Sequence, residues 1–543
     1  MRTEIKSGSE HEGRLLNSVI VLTASTLICK VIGLLFKIPI IGIVGIDGMA
    51  YFSAAYNIYM LLNSISAAGL PVALSILVSK NIAEGREANA NKIFGVAMTI
   101  FACLGAVCSV VLYFSADAYS GAIGIKEAAT AVKAISPTLL FICLAGGIRG
   151  HFQGFKLMAP TAISQLLESI GKLVLGITFA YLAVSANRGA YDTAAAAVFG
   201  LSIGVLISLV YLLIRLWTFS VKRSPLSVDG YPTDGFGSIT KALFYIAFPI
   251  TLSSCITSLT GVADTALITN RLIDGGLSRD VAVTLYSSYT NLAIPLFNLP
   301  PALIAPIAVS LVPSLTAAVA EKNTASSKRI FFASVKLCNL LSFPAAAGLA
   351  VFSKPILLLI YPNESEACSF AAPLLSVLSV AIVFSCFVTV LNAVLQAYMK
   401  PGLPILSMLF GAIVKIISEY FLVGSDLGAL GAPISTIACT FTILVSDLIF
   451  VTICTPHIIE YGPIVKTLIA TFASVSLSAV IYHFMILFGI NSAVVLLASI
   501  FFAILSYALI VLLMGLVGRS DILGLPFGNR IADALLKMKL IKE

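Results

Sequence analysis

Apolar residues run along this chain in uninterrupted blocks of about twenty, and polar residues gather in the short stretches between them. A helix on the surface of a water-soluble domain carries one apolar stripe; these blocks are apolar on every face. Twenty residues at about 1.5 Å each cover the roughly 30 Å of a bilayer's hydrocarbon. Fourteen such blocks are read, near 17–45, 50–79, 93–115, 128–149, 157–184, 191–216, 239–269, 282–313, 330–360, 369–399, 402–424, 428–455, 464–488 and 492–517. The pattern predicts an all-α polytopic membrane protein. No cleavable signal peptide is expected, since the first apolar run is too long and no small-residue cleavage site follows it.

Composition agrees: 59% of the 543 residues are hydrophobic and 11% are charged, where soluble domains run near 25% charged. The ten cysteines, from Cys29 to Cys454, are scattered singly and read as small buried hydrophobes. His11, His151, His457 and His483 are isolated as well, so no metal or other cofactor is expected, a coupling cation excepted.

The net charge of +8 does not point to nucleic acid, because its distribution is that of a membrane protein. Of 33 Lys and Arg, 22 lie in alternate loops counted from the N-terminus, Arg149 among them. The intervening loops hold only Lys126, Arg188, Arg271 and Arg279. The positive-inside rule then places both termini in the cytoplasm. At 518–543, Ile531, Leu535, Met538 and Ile541 recur at helical spacing beside Lys537, Lys539 and Lys542, predicting an amphipathic helix on anionic lipid.

The segment 217–238, with Ser224-Pro225, Gly230, Pro232, Gly235 and Gly237, reads as a cytoplasmic linker. It separates an N-terminal lobe, 1–216, from a C-terminal lobe, 239–455, with two further spans in 456–517. The sequence repeats across it: "PVALS" at Pro71 to Ser75 returns as "PIAVS" at Pro306 to Ser310, and "NKIF" ending at Phe94 as "KRIF" ending at Phe331. A shift of 243 carries Gln153, Ser164 and Lys172 onto Gln396, Ser407 and Lys415. A shift of 234 carries Lys30 onto Asp264 and Lys37 onto Arg271. Six spans per half is an even number, so the halves enter the membrane in the same orientation. Two six-helix lobes related by a pseudo-twofold along the membrane normal are expected, enclosing a cavity and rocking about it.

"RGHFQGFKLMAPTAISQLLE" (Arg149 to Glu168) and "AAGLPVALSILVSKNIAEG" (Ala67 to Gly85) resemble the stage V sporulation protein B and oligosaccharide-flippase branch, the MurJ-like branch, of the multidrug/oligosaccharidyl-lipid/polysaccharide (MOP) exporter superfamily. The resemblance implies a bacterial plasma-membrane flippase that carries a lipid-linked sugar or cell-wall precursor, lipid II or a relative, from the inner to the outer leaflet. It also implies cavity-lining basic residues in the first, second and seventh-to-eighth spans; Lys30 and Lys37 match the first approximately and Arg271 is the seventh-span candidate, but lysines stand where arginines are usual and the second span, Tyr51 to Ser79, departs from the pattern in having no basic residue.

A lysine near a bilayer centre costs about 2.5 to 3.5 kcal/mol, and a water-filled cleft removes most of that. Lys30 and Lys37, seven residues apart on one helical face, are therefore read as acceptors for the diphosphate of an undecaprenyl-linked sugar. The other reading has Lys37 snorkelling to the interface and Lys30 paired with an internal carboxylate. Lys172 and Lys415, with Gln153 and Gln396, are candidate cavity residues; Glu168 and Glu419, four residues from each lysine, offer local ion pairs instead. Asp264 is a partner for Lys30 or a coupling cation. Asp447, deep in a span, receives no role. Membrane lipids are the other expected partners, and a monomer is expected. A cation-coupled drug antiporter of the same superfamily is the rival reading, disfavoured because the first span has no carboxylate. A membrane glycosyltransferase or polymerase is less favoured: there is no D-x-D or H-E-x-x-H and no clustered acid and base, and no phosphate-binding loop points to ATP hydrolysis.

Overall fold

The computed structural model describes residues 2–65, 69–155, 157–222, 233–455 and 461–517; within its helices some side chains, Lys30 among them, lie outside the description, as does the expected amphipathic helix at 518–543. The described chain is helical, and twelve of its helical segments are long and apolar enough to cross a membrane. It divides into two compact units, Met1–Ser287 and Ser288–Glu543.

The first unit contains α1 (Arg2–Asn63), α2 (Leu70–Ala83), α3 (Glu87–Ala122), α4 (Ala129–Ile135), α5 (Thr138–Gly154), α6 (Met158–Ser185), α7 (Ala190–Lys222), α8 (Phe236–Asp274) and α9 (Arg279–Ser287). The first two expected spans are not cleanly separated. α1 passes Gly45, whose φ of 75° and ψ of 166° break the helical path, and continues to Asn63. The rest of the second span is α2, with Pro71 in its first turn, where a missing N–H costs nothing. Pro137 sets the joint between α4 and α5.

In lipid, burial of apolar surface does not drive helices together, so close packing of small residues has to. The α6–α7 seam shows it. "GLSIG" puts Gly200 and Gly204 one turn apart on α7. A Cβ on Gly200 would stand 2.6 Å from Gly176 Cα, and one on Gly204 would stand 2.6 Å from the Lys172 backbone nitrogen. Ser202 is held against Thr138 by a 2.5 Å hydroxyl contact. A second core joins Leu74, Val78, Ile93 and Phe101 to Leu243 of α8. There α8 approaches so closely that a Cβ on Gly69 would collide with Ala247 O.

The second unit contains a π-helical turn (Ser288–Ala293), α10 (Ile294–Phe297), α11 (Leu299–Ala320), α12 (Thr324–Val351), α13 (Ser353–Ile360), α14 (Ser365–Leu378), α15 (Val380–Ala397), α16 (Gly402–Val423), α17 (Gly431–Cys454), α18 (Tyr461–Leu487) and α19 (Ser492–Leu513). The eighth expected span, 282–313, is thus built from several pieces, α9 to α11. Pro295 and the Pro300-Pro301 pair withdraw backbone donors there, and the chain answers with short helices. The α16–α17 seam repeats the α6–α7 theme: Gly411 faces Cys439 O and Ile443.

Candidate functional site

The strongest charge cluster of the first unit lies where α5, α6 and α7 meet. Arg149 sits inside α5, and its guanidinium is withdrawn from the loop where the charge count placed it. Nη2 donates to Glu168 Oε2 at 2.8 Å and to Ser208 Oγ at 2.8 Å, and Nε donates to Ser164 Oγ at 2.9 Å. Lys172 Nζ donates to Glu168 Oε1 at 2.6 Å, so the local ion pair read from the four-residue spacing is present. The Arg149 and Glu168 side chains are 13% and 11% exposed, and Lys172 is 25% exposed. Two cations share one carboxylate, leaving an excess positive charge in a membrane-spanning core. Gln153 lies one turn beyond Arg149 on α5 and is half-buried.

Lys37 is half-buried on α1, while the Lys30 side chain lies outside the described residues. Asp264 is half-buried on α8 with its Oδ1 shielded from solvent. Arg271, in the last turn of α8, binds Asp274 at 2.9 Å, three residues on and well exposed. Immediately around Asp264, at Gly261 and Thr265, a polar joint fastens α8 to α1 and α9. Asn57 Nδ2 donates to Thr265 Oγ1 at 2.9 Å and to Gly261 O at 3.2 Å, and Thr265 Oγ1 lies 2.9 Å from the Tyr286 hydroxyl. Ser64 and Ser258 hydroxyls meet at 2.7 Å further along the same pair of helices. Sequence reasoning missed Arg149 and this joint. Arg149 stands in the quoted motif, four residues before Gln153 on one helical face, and that spacing was the available signal.

In the second unit Lys415 and Glu419 are both buried on α16, at 8% and 0% exposure, while Gln396 on α15 is exposed. This unit also holds an almost wholly apolar slot of about 440 Å³, lined by Leu303 of α11, Leu340, Pro344 and Gly348 of α12, and Ile504 and Tyr507 of α19. The Tyr507 hydroxyl is turned onto Leu340 O at 3.0 Å, which leaves its ring to the slot. A hydrocarbon chain suits such a lining; a charged head does not.

Comparison with known proteins agrees with this architecture. The profile of the family described as polysaccharide biosynthesis protein matches residues 15–319, and the MatE profile matches 249–421. The lipid II flippase MurJ of Bacillus subtilis (strain 168) is 28% identical over 425 residues, 74% of this chain and 76% of that protein. Stage V sporulation protein B of the same organism is 24% identical over 527 residues, 95% of this chain and 98% of that protein. Among solved structures, a lipid II flippase MurJ in an inward closed conformation overlays with TM-score 0.70 at 15% identity, covering 90% of this chain and 98% of that one. An inward-facing MATE multidrug transporter overlays with TM-score 0.66 at 15% identity, covering 80% and 97%. At such identities the overlays establish the fold alone. With the first profile spanning more than half of its length, the chain belongs to the polysaccharide biosynthesis protein family, a branch of multi-pass membrane transporters in the MOP exporter superfamily.

Proposed function

We propose that this protein moves an anionic lipid-linked sugar, carried on an undecaprenyl-type diphosphate, from the inner to the outer leaflet by alternating access. The observation that carries the reading is the charge of the first unit's membrane-spanning core. Lys37, Arg149 and Lys172 stand against Glu168 and Asp264, a surplus of cations where a carrier of cations needs carboxylates. In this reading Lys30 and Lys37 on α1 engage the diphosphate as point charges, with Arg271 at the far end of α8 and Lys172 and Gln153 beside them. Lys415 and Gln396 are the corresponding groups of the second half, and the apolar slot takes the hydrocarbon chain. A membrane potential negative inside favours outward movement of an anion by about 2.3 kcal/mol per charge per 100 mV. The similarity to a protein named lipid II flippase supports this class of cargo.

The test is translocation of a fluorescent undecaprenyl-diphosphate sugar by purified protein in vesicles. A contact to a charged group is worth about 1.5 to 3 kcal/mol, so Lys30→Ala and Lys37→Ala should each slow transport about ten- to a hundredfold. Wild-type rates in both variants would overturn the assignment. The MatE match over 249–421, with Asp264 on α8, favours one other reading, cation-coupled export of a cationic drug. Efflux of a cationic dye driven by a proton or sodium gradient would select it.

A further inference from the structure

The repeat that carries Gln153, Ser164 and Lys172 onto Gln396, Ser407 and Lys415 also carries Arg149 onto Asn392 and Glu168 onto Gly411. The ion network of the first unit therefore loses both its arginine and its carboxylate in the second. A carboxylate nevertheless returns there, on the neighbouring helix. Ser164 shares the Arg149 guanidinium with Ser208 of α7; its counterpart Ser407 faces Asp447 of α17. Asp447 thus stands beside Ser407 in the α16–α17 seam, where Gly411 meets Ile443.

Unlike Glu168, Asp447 has no cation among the described residues. It is 0% exposed, and neither carboxyl oxygen has a partner of good hydrogen-bond geometry, the neighbouring Ser407 hydroxyl included. The Ser407 hydroxyl is directed to Leu403 O at 3.4 Å. Asn392 Oδ1, at the position equivalent to Arg149, is likewise buried without a partner. The helices packed on α17 supply no counter-charge at this level. α15 carries no Asp, Glu, Lys, Arg or His, and its one titratable group is Cys386. On α14 the charged residue is Glu366, exposed in the first turn, beside the buried Cys368. On α16, Lys415, Glu419 and Tyr420 lie eight or more residues from Ser407, at least about 12 Å along the axis. α17 itself adds only Cys439 and Cys454. An isolated carboxylate in such a site takes up a proton in preference to remaining ionised.

We propose that Asp447 is a proton-binding site of the second half: it is a neutral carboxylic acid in this conformation, and it releases that proton to water in another conformation of the transport cycle. The binding step needs only a proton from solvent, taken onto one carboxylate oxygen. Its coupling to transport rests on the flippase reading above. The internal repeat thereby holds one carboxylate that cations keep ionised and one whose charge is removed by a proton.

Asp447→Asn mimics the neutral acid, and two measurements on the purified full chain test the idea. In infrared spectra at neutral pH, wild type should show a protonated-carboxyl stretch that Asp447→Asn lacks, with the melting temperature of the variant equal to or above that of wild type. In vesicles, translocation of the fluorescent lipid-linked sugar should vary with pH in wild type and be flat in Asp447→Asn. Absence of the carboxyl band, or a variant that melts well below wild type, would show an ionised structural Asp447 and overturn the proposal. A variant with unchanged pH dependence would overturn the coupling. If no variant moves the lipid yet the carboxyl band behaves as described, the flippase reading fails and the proton site stands.

Discussion

Arg149 Nη2 lies 2.8 Å from Glu168 Oε2, and the other oxygen of the same carboxylate lies 2.6 Å from Lys172 Nζ. One buried acid therefore bridges two bases on two helices and leaves one positive charge in excess. Removing one partner of a buried pair costs about 3 to 5 kcal/mol, chiefly because a charge is left without a counter-ion. Glu168→Gln strands two cations, whereas Lys172→Met leaves the Arg149 bond whole. Chemical unfolding in detergent should show the larger loss for Glu168→Gln, and equal losses would show that the pairs act independently.

The α6–α7 seam makes a second prediction. A methyl on Gly200 or Gly204 would meet backbone atoms of α6 at 2.5 to 2.6 Å, and backbone cannot rotate away as a side chain can. Gly200→Ala and Gly204→Ala should each cost about 1 to 3 kcal/mol by overpacking. Gly237→Ala, in the first turn of α8 with no atom within 4 Å of the added carbon, should instead be neutral or gain up to about 1 kcal/mol from helix propensity. Melting temperatures of the three variants check the contrast.

How much of this was legible in the sequence divides by the range of the forces involved. The helical membrane-spanning class was plain, because a block of twenty apolar residues has one cheap conformation in lipid. The Lys172–Glu168 pair followed from its four-residue spacing. The end of α1 at Asn63, inside the expected second span, and the piecewise eighth span did not follow, since hydropathy reports apolarity and is silent about helix continuity. Arg149 was counted with the loops because a terminal arginine and a buried one look alike until Ser164, Glu168 and Ser208 arrive from two other helices. Asp447 had no reading for the same reason: its meaning depends on the cation that the first half has at Arg149 and the second lacks.

Asp234, just before α8, predicts a response to acid. Its carboxylate accepts from Asn89 Nδ2 at 2.7 Å and from Arg86 Nη2 at 3.0 Å, and its backbone N–H donates to Asn89 Oδ1 at 2.9 Å. Those bonds, with the Asn89 one foremost, hold its acidity constant below the usual aspartate value. A carboxylate depressed in this way adds stability that is complete above the unfolded value of about 4 and is lost as pH falls through the lower folded value. Hydrogen exchange at 233–239, taken relative to the intrinsic rate at each pH, should therefore be unchanged from neutral pH down to about 4 and rise in stronger acid. In Asp234→Asn it should be raised already at neutral pH. An Asp234→Asn profile matching wild type at neutral pH would rule out the clasp.

The apolar slot allows a test that separates stability from transport. Gly348 lines it from α12, and a Cβ there would touch nothing within 4 Å. Replacing a helical glycine gains up to about 1 kcal/mol of helix propensity, so Gly348→Ala should be at least as stable as wild type. Gly348→Trp should fold as well, but its indole would occupy much of the roughly 440 Å³ cavity. If the slot holds the hydrocarbon chain of the cargo, Gly348→Trp will translocate a short-chain analogue at the wild-type rate and an undecaprenyl substrate far more slowly. Gly348→Ala will handle both as wild type does. Equal rates for long and short chains in Gly348→Trp would place the hydrocarbon elsewhere and leave the slot as a packing defect.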